Sequence, residues 1–76
     1  MKYIIYEENG LELPIIFSEI LYHGDVAQNK NVISAGFCKI RMDSIQPELA
    51  CYGQSVSLRK KSRIIDDSIL SHLLRS

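Results

Sequence analysis

An Asn-Gly pair between two apolar runs is the feature of this sequence that most restricts its fold. Asn9 and Gly10 follow the β-prone run 2–7 and precede the largely apolar run 11–17. Both residue types accept the positive φ that a type I′ turn requires, so this pattern is the strongest short-range signal for a β-hairpin. The first 17 residues are therefore predicted to form two antiparallel strands.

Pro14 interrupts the second of these strands. Proline has no N–H group to donate to a neighbouring strand, so within sheets it is found mainly on edge strands. We therefore expect the second strand to lie at the edge of a sheet, or to turn Pro14 away from its partner.

A second hairpin is predicted from residues 32–42 and 49–58, which are rich in strand-forming residues and are joined by a connection over 43–48. Apolar and charged residues alternate in the second half of the third strand, as in a half-buried strand. Gly36 interrupts that strand and predicts a bulge or the close approach of another backbone.

Two helices are predicted. The longer one follows Ser62 and continues to Arg75, because apolar residues recur there at the spacing of one helix face. Those residues are Ile65, Ile69, Leu70, Leu73 and Leu74. A short helical turn over 19–23, capped by Ser18 and ended by Gly24, is predicted after the second strand. Extension of the second strand to Tyr22 is the alternative.

These elements predict an α+β fold, with residues 1–76 as a single two-layer domain. Its four-stranded antiparallel sheet consists of two hairpins, a short helix follows strand 2, and the C-terminal helix packs on one sheet face. A chain of 76 residues buries only about 60% of the surface of its unfolded form, so its stability margin is thin. A large enzyme core with a deep cleft is therefore not expected.

The composition restricts the class of protein and its location. Nine basic and nine acidic residues give zero net charge, and the 46% apolar content is too high for a disordered tail. The longest apolar run has five residues, against about 20 for a membrane-spanning helix. We expect a cytoplasmic protein that makes no membrane contact, with no cofactor and no metal. Cys38 and Cys51 are expected to be reduced, buried thiols, and the second hairpin allows them to be neighbours.

A basic run before the C-terminal helix is the sharpest local feature. It consists of Arg59, Lys60, Lys61 and Arg63. Residues 1–38 carry two lysines against five carboxylates, while residues 39–76 carry seven basic against four acidic residues. The run makes an accessory protein that binds nucleic acid weakly the first alternative function, with at most weak contact to nucleic acid or another anion. A solvated connector is the other interpretation.

His23 and Asp25 form the single His-x-Asp pair of the sequence. Such a pair can supply a general base with an orienting carboxylate, which makes a small hydrolase the second alternative function. The simpler interpretation is structural, with the His23 ring contacting backbone carbonyls at the end of a helical turn. The sequence shows no accompanying nucleophile, so we expect no catalytic residue.

Aromatic residues of the first two strands predict an interface. Apolar side chains occupy both faces of these strands, and one helix cannot cover both. The excess predicts a self-association or partner surface with Tyr3, Tyr6 and Phe17 as its candidate residues.

A resemblance to known proteins rests on four segments of the sequence, namely 17–19, 23–27, 32–38 and 52–58. Over residues 15–75 the chain resembles small uncharacterised proteins encoded by phages and prophages. The resemblance implies a bacterial or phage setting and no functional residue. We therefore expect a non-enzymatic protein of the bacterial cytoplasm that binds itself, as a homo-oligomer, or binds a host or phage protein.

Overall fold

The computed structural model describes residues 1–42 and 45–75. It confirms an α+β fold with a four-stranded antiparallel sheet, a short helix after the second strand and a C-terminal helix. The sheet order is β2-β1-β3-β4, and β5 and β6 form a separate two-stranded sheet. The elements are β1 (Lys2–Glu8), β2 (Leu11–Phe17), α1 (His23–Val26), β3 (Asn31–Arg41), β4 (Glu48–Tyr52), β5 (Gln54–Ser55), β6 (Lys60–Lys61) and α2 (Asp66–Leu73).

The first hairpin is formed as predicted. Asn9 and Gly10 have φ values of 54° and 80°, and Glu8 lies opposite Leu11, so a two-residue turn with positive φ at both positions joins β1 to β2. Pro14 lies in β2, which is an edge strand. Its missing N–H group therefore costs the sheet no hydrogen bond.

Strand β1 lies between β2 and β3, and its side chains enter a hydrophobic cluster on each face of the sheet. Tyr3 and Ile5 belong to the cluster on the α2 side, which includes Leu70. Ile4 belongs to the other cluster, whose members include Ala27 after α1 and Leu58 between β5 and β6. The part of the second sheet face around Ile4 is thus covered by the chain itself.

Gly36 marks a close backbone approach, as its position in the strand predicts. A Cβ at this residue would lie 2.6 Å from the carbonyl oxygen of Tyr52. The bulge in the pairing of β1 with β3 lies nearby, where the partner of Ile5 is Ser34 and the partner of Tyr6 is Val32. Glycine at position 36 therefore gives the backbone of residue 52 room to pass.

Three predicted boundaries are wrong. The predicted strand 49–58 ends at Tyr52, because Gly53 has a φ of 74° and redirects the chain into the β5–β6 hairpin. The short helix was predicted over 19–23, but α1 begins at His23. The C-terminal helix begins at Asp66 rather than after Ser62. The predicted connection 43–48 lies partly outside the described residues, which omit 43 and 44.

Candidate interaction surface

Helix α2 closes one edge of the sheet with its side chains. The backbone N–H of Leu49 donates to Ser71 Oγ at 2.9 Å, and the N–H of Cys51 donates to Asp67 Oδ1 at 2.7 Å. Both donors belong to β4, the edge strand next to β3. These bonds occupy the groups through which another strand would pair with β4.

The edge at β2 is open, since no strand within residues 1–42 and 45–75 pairs with its outer side. The backbone N–H of Cys38, in β3, donates to the Met1 carbonyl at 2.8 Å. Because backbone groups alternate in direction along a strand, odd-numbered residues of β1 direct theirs toward β3 and even-numbered residues toward β2. In β2 the backbone groups of Glu12, Pro14 and Ile16 consequently point away from the sheet. Two N–H groups and three carbonyls are thereby presented to an incoming strand.

An apolar groove of about 530 Å³ runs beside this edge, between β2 and α2. Its residues are Glu12, Leu13, Pro14, Ile65, Ser68, Ile69, His72 and Leu73. We call this groove, together with the outer backbone of β2, the edge groove. Its lining includes the helical row Ile65, Ile69 and Leu73, which recurs every four residues.

The buried side of α2 differs from the predicted one. Leu70 is fully buried, as expected from the apolar stripe, but Ile65 is 56% exposed and Leu73 is also exposed. The fully buried residue one turn before Leu70 is the carboxylate Asp66. The helix is therefore rotated so that part of its apolar stripe lines the edge groove instead of packing on the sheet.

A hydrogen-bond network around Asp66 fixes this rotation. Tyr3 Oη donates to Asp66 Oδ2 at 2.5 Å, and the backbone N–H and Nε of Arg63 each donate to this carboxylate at 3.0 Å. Burial, and then the hydrogen bond to Asp66, raise the pKa of Tyr3. Arg63 also binds Glu12 Oε1 at 2.8 Å, which joins α2 to β2 at the rim of the edge groove.

Among the four predicted anion contacts, Arg63 differs from the other three because it already has carboxylate partners within the described residues. Its guanidinium is held by Glu12 and Asp66, and the hydrogen bond to Glu12 is the largest cause of its raised pKa. Its charge is therefore already compensated within the chain, and contact of Arg63 with an external anion stays a prediction. Arg59, Lys60 and Lys61 lie in and after the turn of the β5–β6 hairpin, where all three are exposed.

Two of the three predicted interface residues lie in the core. Tyr3 is fully buried beneath α2, and Phe17 is only 9% exposed on the opposite sheet face. Tyr6 is half-buried, with Lys30 Nζ 5.7 Å from its ring centroid. An exposed surface built from Tyr3 and Phe17 is thus wrong. Helix α2 covers Tyr3, and residues of α1 and the β5–β6 hairpin pack in the opposite cluster, which contains Phe17.

His23 is buried against Phe17, which belongs to the hydrophobic cluster on the sheet face opposite α2. Its Nε2 donates to the Gly36 carbonyl at 2.8 Å, and its ring makes edge contacts with Phe17 and Phe37 at centroid distances of 5.5 and 5.6 Å. Asp25 is exposed, and no hydrogen bond between described residues joins it to His23. The ring contacts a backbone carbonyl, as the structural interpretation predicts, but this carbonyl belongs to β3, and His23 begins α1 instead of ending a helical turn. This geometry gives the hydrolase alternative no support.

Cys38 and Cys51 are direct partners across β3 and β4, as suggested by the sequence. Both are free thiols, with Cys38 buried and Cys51 half-buried. Burial, followed by the negative charge of Asp67, raises the pKa of Cys51 to about 12, and burial also raises the pKa of Cys38. Both side chains are thus protonated at neutral pH and poorly nucleophilic. Within residues 1–42 and 45–75, no cluster of three or more His, Cys, Asp or Glu could hold a metal ion.

Comparisons with known proteins place the chain in no family, since no family model, curated protein or solved structure matches it. The resemblance to phage and prophage proteins therefore stays a prediction. Among the helices of the described residues, none is long and apolar enough to cross a membrane.

Proposed function

We propose that this protein acts by binding rather than catalysis, and that a second copy of the chain occupies the edge groove. The observation that carries the proposal is the difference between the two sheet edges. Side chains of α2 close the β4 edge, whereas the β2 edge presents its backbone groups beside an apolar groove. An open edge next to an apolar surface favours strand addition.

The charges at the groove favour an identical partner. Glu12 and Arg63 at its rim already neutralise each other at 2.8 Å, so the groove offers apolar contact and backbone pairing instead of a charged recognition site. In a two-fold dimer the same patch serves both partners, and an apolar row repeating every four residues can pack against its own copy. Association would also add stability to a chain whose own core is small.

Sedimentation equilibrium on matched variants tests this proposal. Ile65 lines the edge groove, whereas its neighbour Ile64 is 99% exposed and does not line it. Ile65→Glu introduces a charge into the apolar contact and is expected to shift the wild-type dimer to monomer. Ile64→Glu makes the same charge change one residue away and is expected to leave the dimer intact.

Two results would contradict the proposal. A wild-type protein that stays monomeric up to high micromolar concentration has no self-association to explain. Equal weakening by Ile64→Glu and Ile65→Glu would show that general charge, and not the edge groove, controls association.

A further inference from the structure

We propose a second binding surface, which takes single-stranded nucleic acid and lies on the sheet face opposite α2. It consists of Tyr52, Lys39, Lys60 and Lys61, and we call it the Tyr52 surface. It shares no residue with the edge groove, so this inference goes beyond self-association and does not depend on it.

The ring of Tyr52 ends a row of aromatic contacts that starts in the core. Phe17 contacts His23, His23 contacts Phe37, and Phe37 stacks on Tyr52 at a centroid distance of 5.8 Å and an interplanar angle of 24°. The inner end of the row is fixed by the hydrogen bond from His23 to the Gly36 carbonyl. Tyr52 is 47% exposed, so a ring held in position from below is presented at the surface.

One lysine lies over this ring, and two more lie in the neighbouring strand β6. Lys39 Nζ lies 5.9 Å from the Tyr52 ring centroid. Ser62 holds β6 beside it, because its N–H and Oγ donate to the Gly53 carbonyl at 3.0 and 3.1 Å. Lys61 immediately precedes Ser62 and is exposed, as is Lys60. The Tyr52 surface therefore combines one exposed ring, the Lys39 ammonium group over it and two exposed lysines of the neighbouring strand.

These lysines differ from three of the four arginines of the chain. Arg41, Arg63 and Arg75 each have a carboxylate partner within 4.0 Å. No ion pair in the described ranges 1–42 and 45–75 includes Lys39, Lys60 or Lys61. Their charge is thus available to an external anion.

An exposed aromatic ring among lysines has the chemistry of a single-strand binder. Phosphates are neutralised by the ammonium groups, while an unpaired base stacks on the ring. Lys39 does not prevent stacking, since a cation–π contact at an exposed site is weak and a flexible lysine can move to a phosphate. A duplex keeps its base faces stacked internally, and an acidic peptide has no base to place on Tyr52. We therefore expect single strands to be preferred, without sequence specificity.

Fluorescence anisotropy with a labelled oligothymidine tests the proposal. Wild-type protein is expected to bind with a Kd in the weak range of roughly 10⁻⁴ to 10⁻⁶ M at physiological salt. Lys61→Glu and Tyr52→Leu are each expected to weaken binding by about fivefold or more, and Tyr52→Phe, which keeps the ring, to retain it.

Lys30→Glu is the matched control for Lys61→Glu. Lys30 also lies over a tyrosine, at 5.7 Å from the Tyr6 ring centroid. Tyr6 is far from the Tyr52 surface, because Phe37, which stacks on Tyr52, is paired with Lys2, and Tyr6 lies four residues further along β1. That separation is about 13 Å along the strand. It exceeds the screening length of about 8 Å at physiological salt, so Lys30→Glu is expected to change binding by less than about twofold.

The proposal is overturned if Lys30→Glu weakens binding as much as Lys61→Glu, because the attraction would then be diffuse. It is also overturned if Tyr52→Leu binds like wild type while thermal denaturation shows it to be folded. Equal competition by duplex DNA, or by a poly-glutamate peptide of similar length, would show that charge alone is recognised.

Discussion

Among single residues, Asp66 has the most distinctive environment, because its fully buried carboxylate accepts hydrogen bonds from Tyr3 and Arg63. Tyr3→Phe removes one donor from a charged group that water does not reach. We expect the free energy of unfolding to fall by about 1.5–3 kcal/mol in chemical denaturation. Tyr6→Phe, at a half-buried tyrosine of the same strand, is expected to change it by less than about 0.5 kcal/mol. Equal effects of the two substitutions would contradict the role given to Asp66.

Two glycines allow the backbone approach at position 36 to be tested. A methyl group at Gly36 would meet the Tyr52 carbonyl at 2.6 Å, whereas one at Gly24 in α1 would meet no atom within 4 Å. We expect Gly36→Ala to lower the free energy of unfolding by about 1–3 kcal/mol through overpacking. Gly24→Ala is expected to raise it by about 0.4–1 kcal/mol, since alanine restricts the unfolded chain. A stabilising Gly36→Ala would contradict the close approach.

The thiols predict a dependence of stability on alkaline pH. Cys51 has its pKa raised from 9.0 to about 12, so the folded protein holds this proton more tightly than the unfolded chain. That contribution is fully present below pH 9.0 and is lost as the pH rises from there toward 12. Urea denaturation is expected to show falling stability above pH 9.0, with a smaller fall in Cys51→Ala. An identical slope in the variant would show that another group titrates.

The residues that sequence reasoning identifies correctly are those with a local backbone requirement. Asn9 and Gly10 need positive φ, Pro14 lacks a donor, and Gly36 lacks a side chain, so their neighbours in sequence reveal their roles. Asp66 was missed, because its partners Tyr3 and Arg63 meet it only once the sheet and α2 have packed. In the sequence, an aspartate near the start of a helix indicates only a favourable interaction with the helix dipole, not burial.

At the scale of elements, the contact of α2 with β4 is both structural and protective. Ser71 Oγ accepts the Leu49 N–H, so Ser71→Ala leaves a buried donor without its partner. We expect a loss of about 1–3 kcal/mol of unfolding free energy in chemical denaturation. Ser68→Ala, at an exposed serine of the same helix, is expected to be neutral or slightly stabilising because alanine favours helix. Similar losses in both variants would contradict the edge-closing role of α2.

Element types were easier to predict than element faces and ends. Alternation and helical spacing correctly indicate four strands and the C-terminal helix. The end of β4 at Tyr52 was missed because Gly53 with positive φ breaks an otherwise continuous β-prone run. The apolar stripe predicts that Ile65 faces the sheet. The hydrogen bonds of Asp66 instead turn this carboxylate toward the sheet and leave Ile65 exposed, which spacing alone does not reveal.

In the whole molecule, the apolar side chains that remain exposed are not the ones predicted from the sequence. The predicted interface residues Tyr3 and Phe17 are internal, because α2 covers Tyr3 while α1 and the β5–β6 hairpin pack in the cluster that contains Phe17. The exposed part of the α2 stripe, at Ile65, lies beside the open β2 edge instead. Self-association thus remains our proposal, but at a surface that only the arrangement of α2 reveals.

Amide hydrogen exchange at the β2 edge locates the self-association surface residue by residue. The N–H groups of Glu12 and Ile16 point away from the sheet, so in the monomer they are open to water. As the concentration rises from low to high micromolar, we predict that their exchange slows, while that of the exposed Ile64 amide stays fast. Rates for Glu12 and Ile16 that are independent of concentration, in a sample shown to dimerise, would place the interface elsewhere and contradict the account.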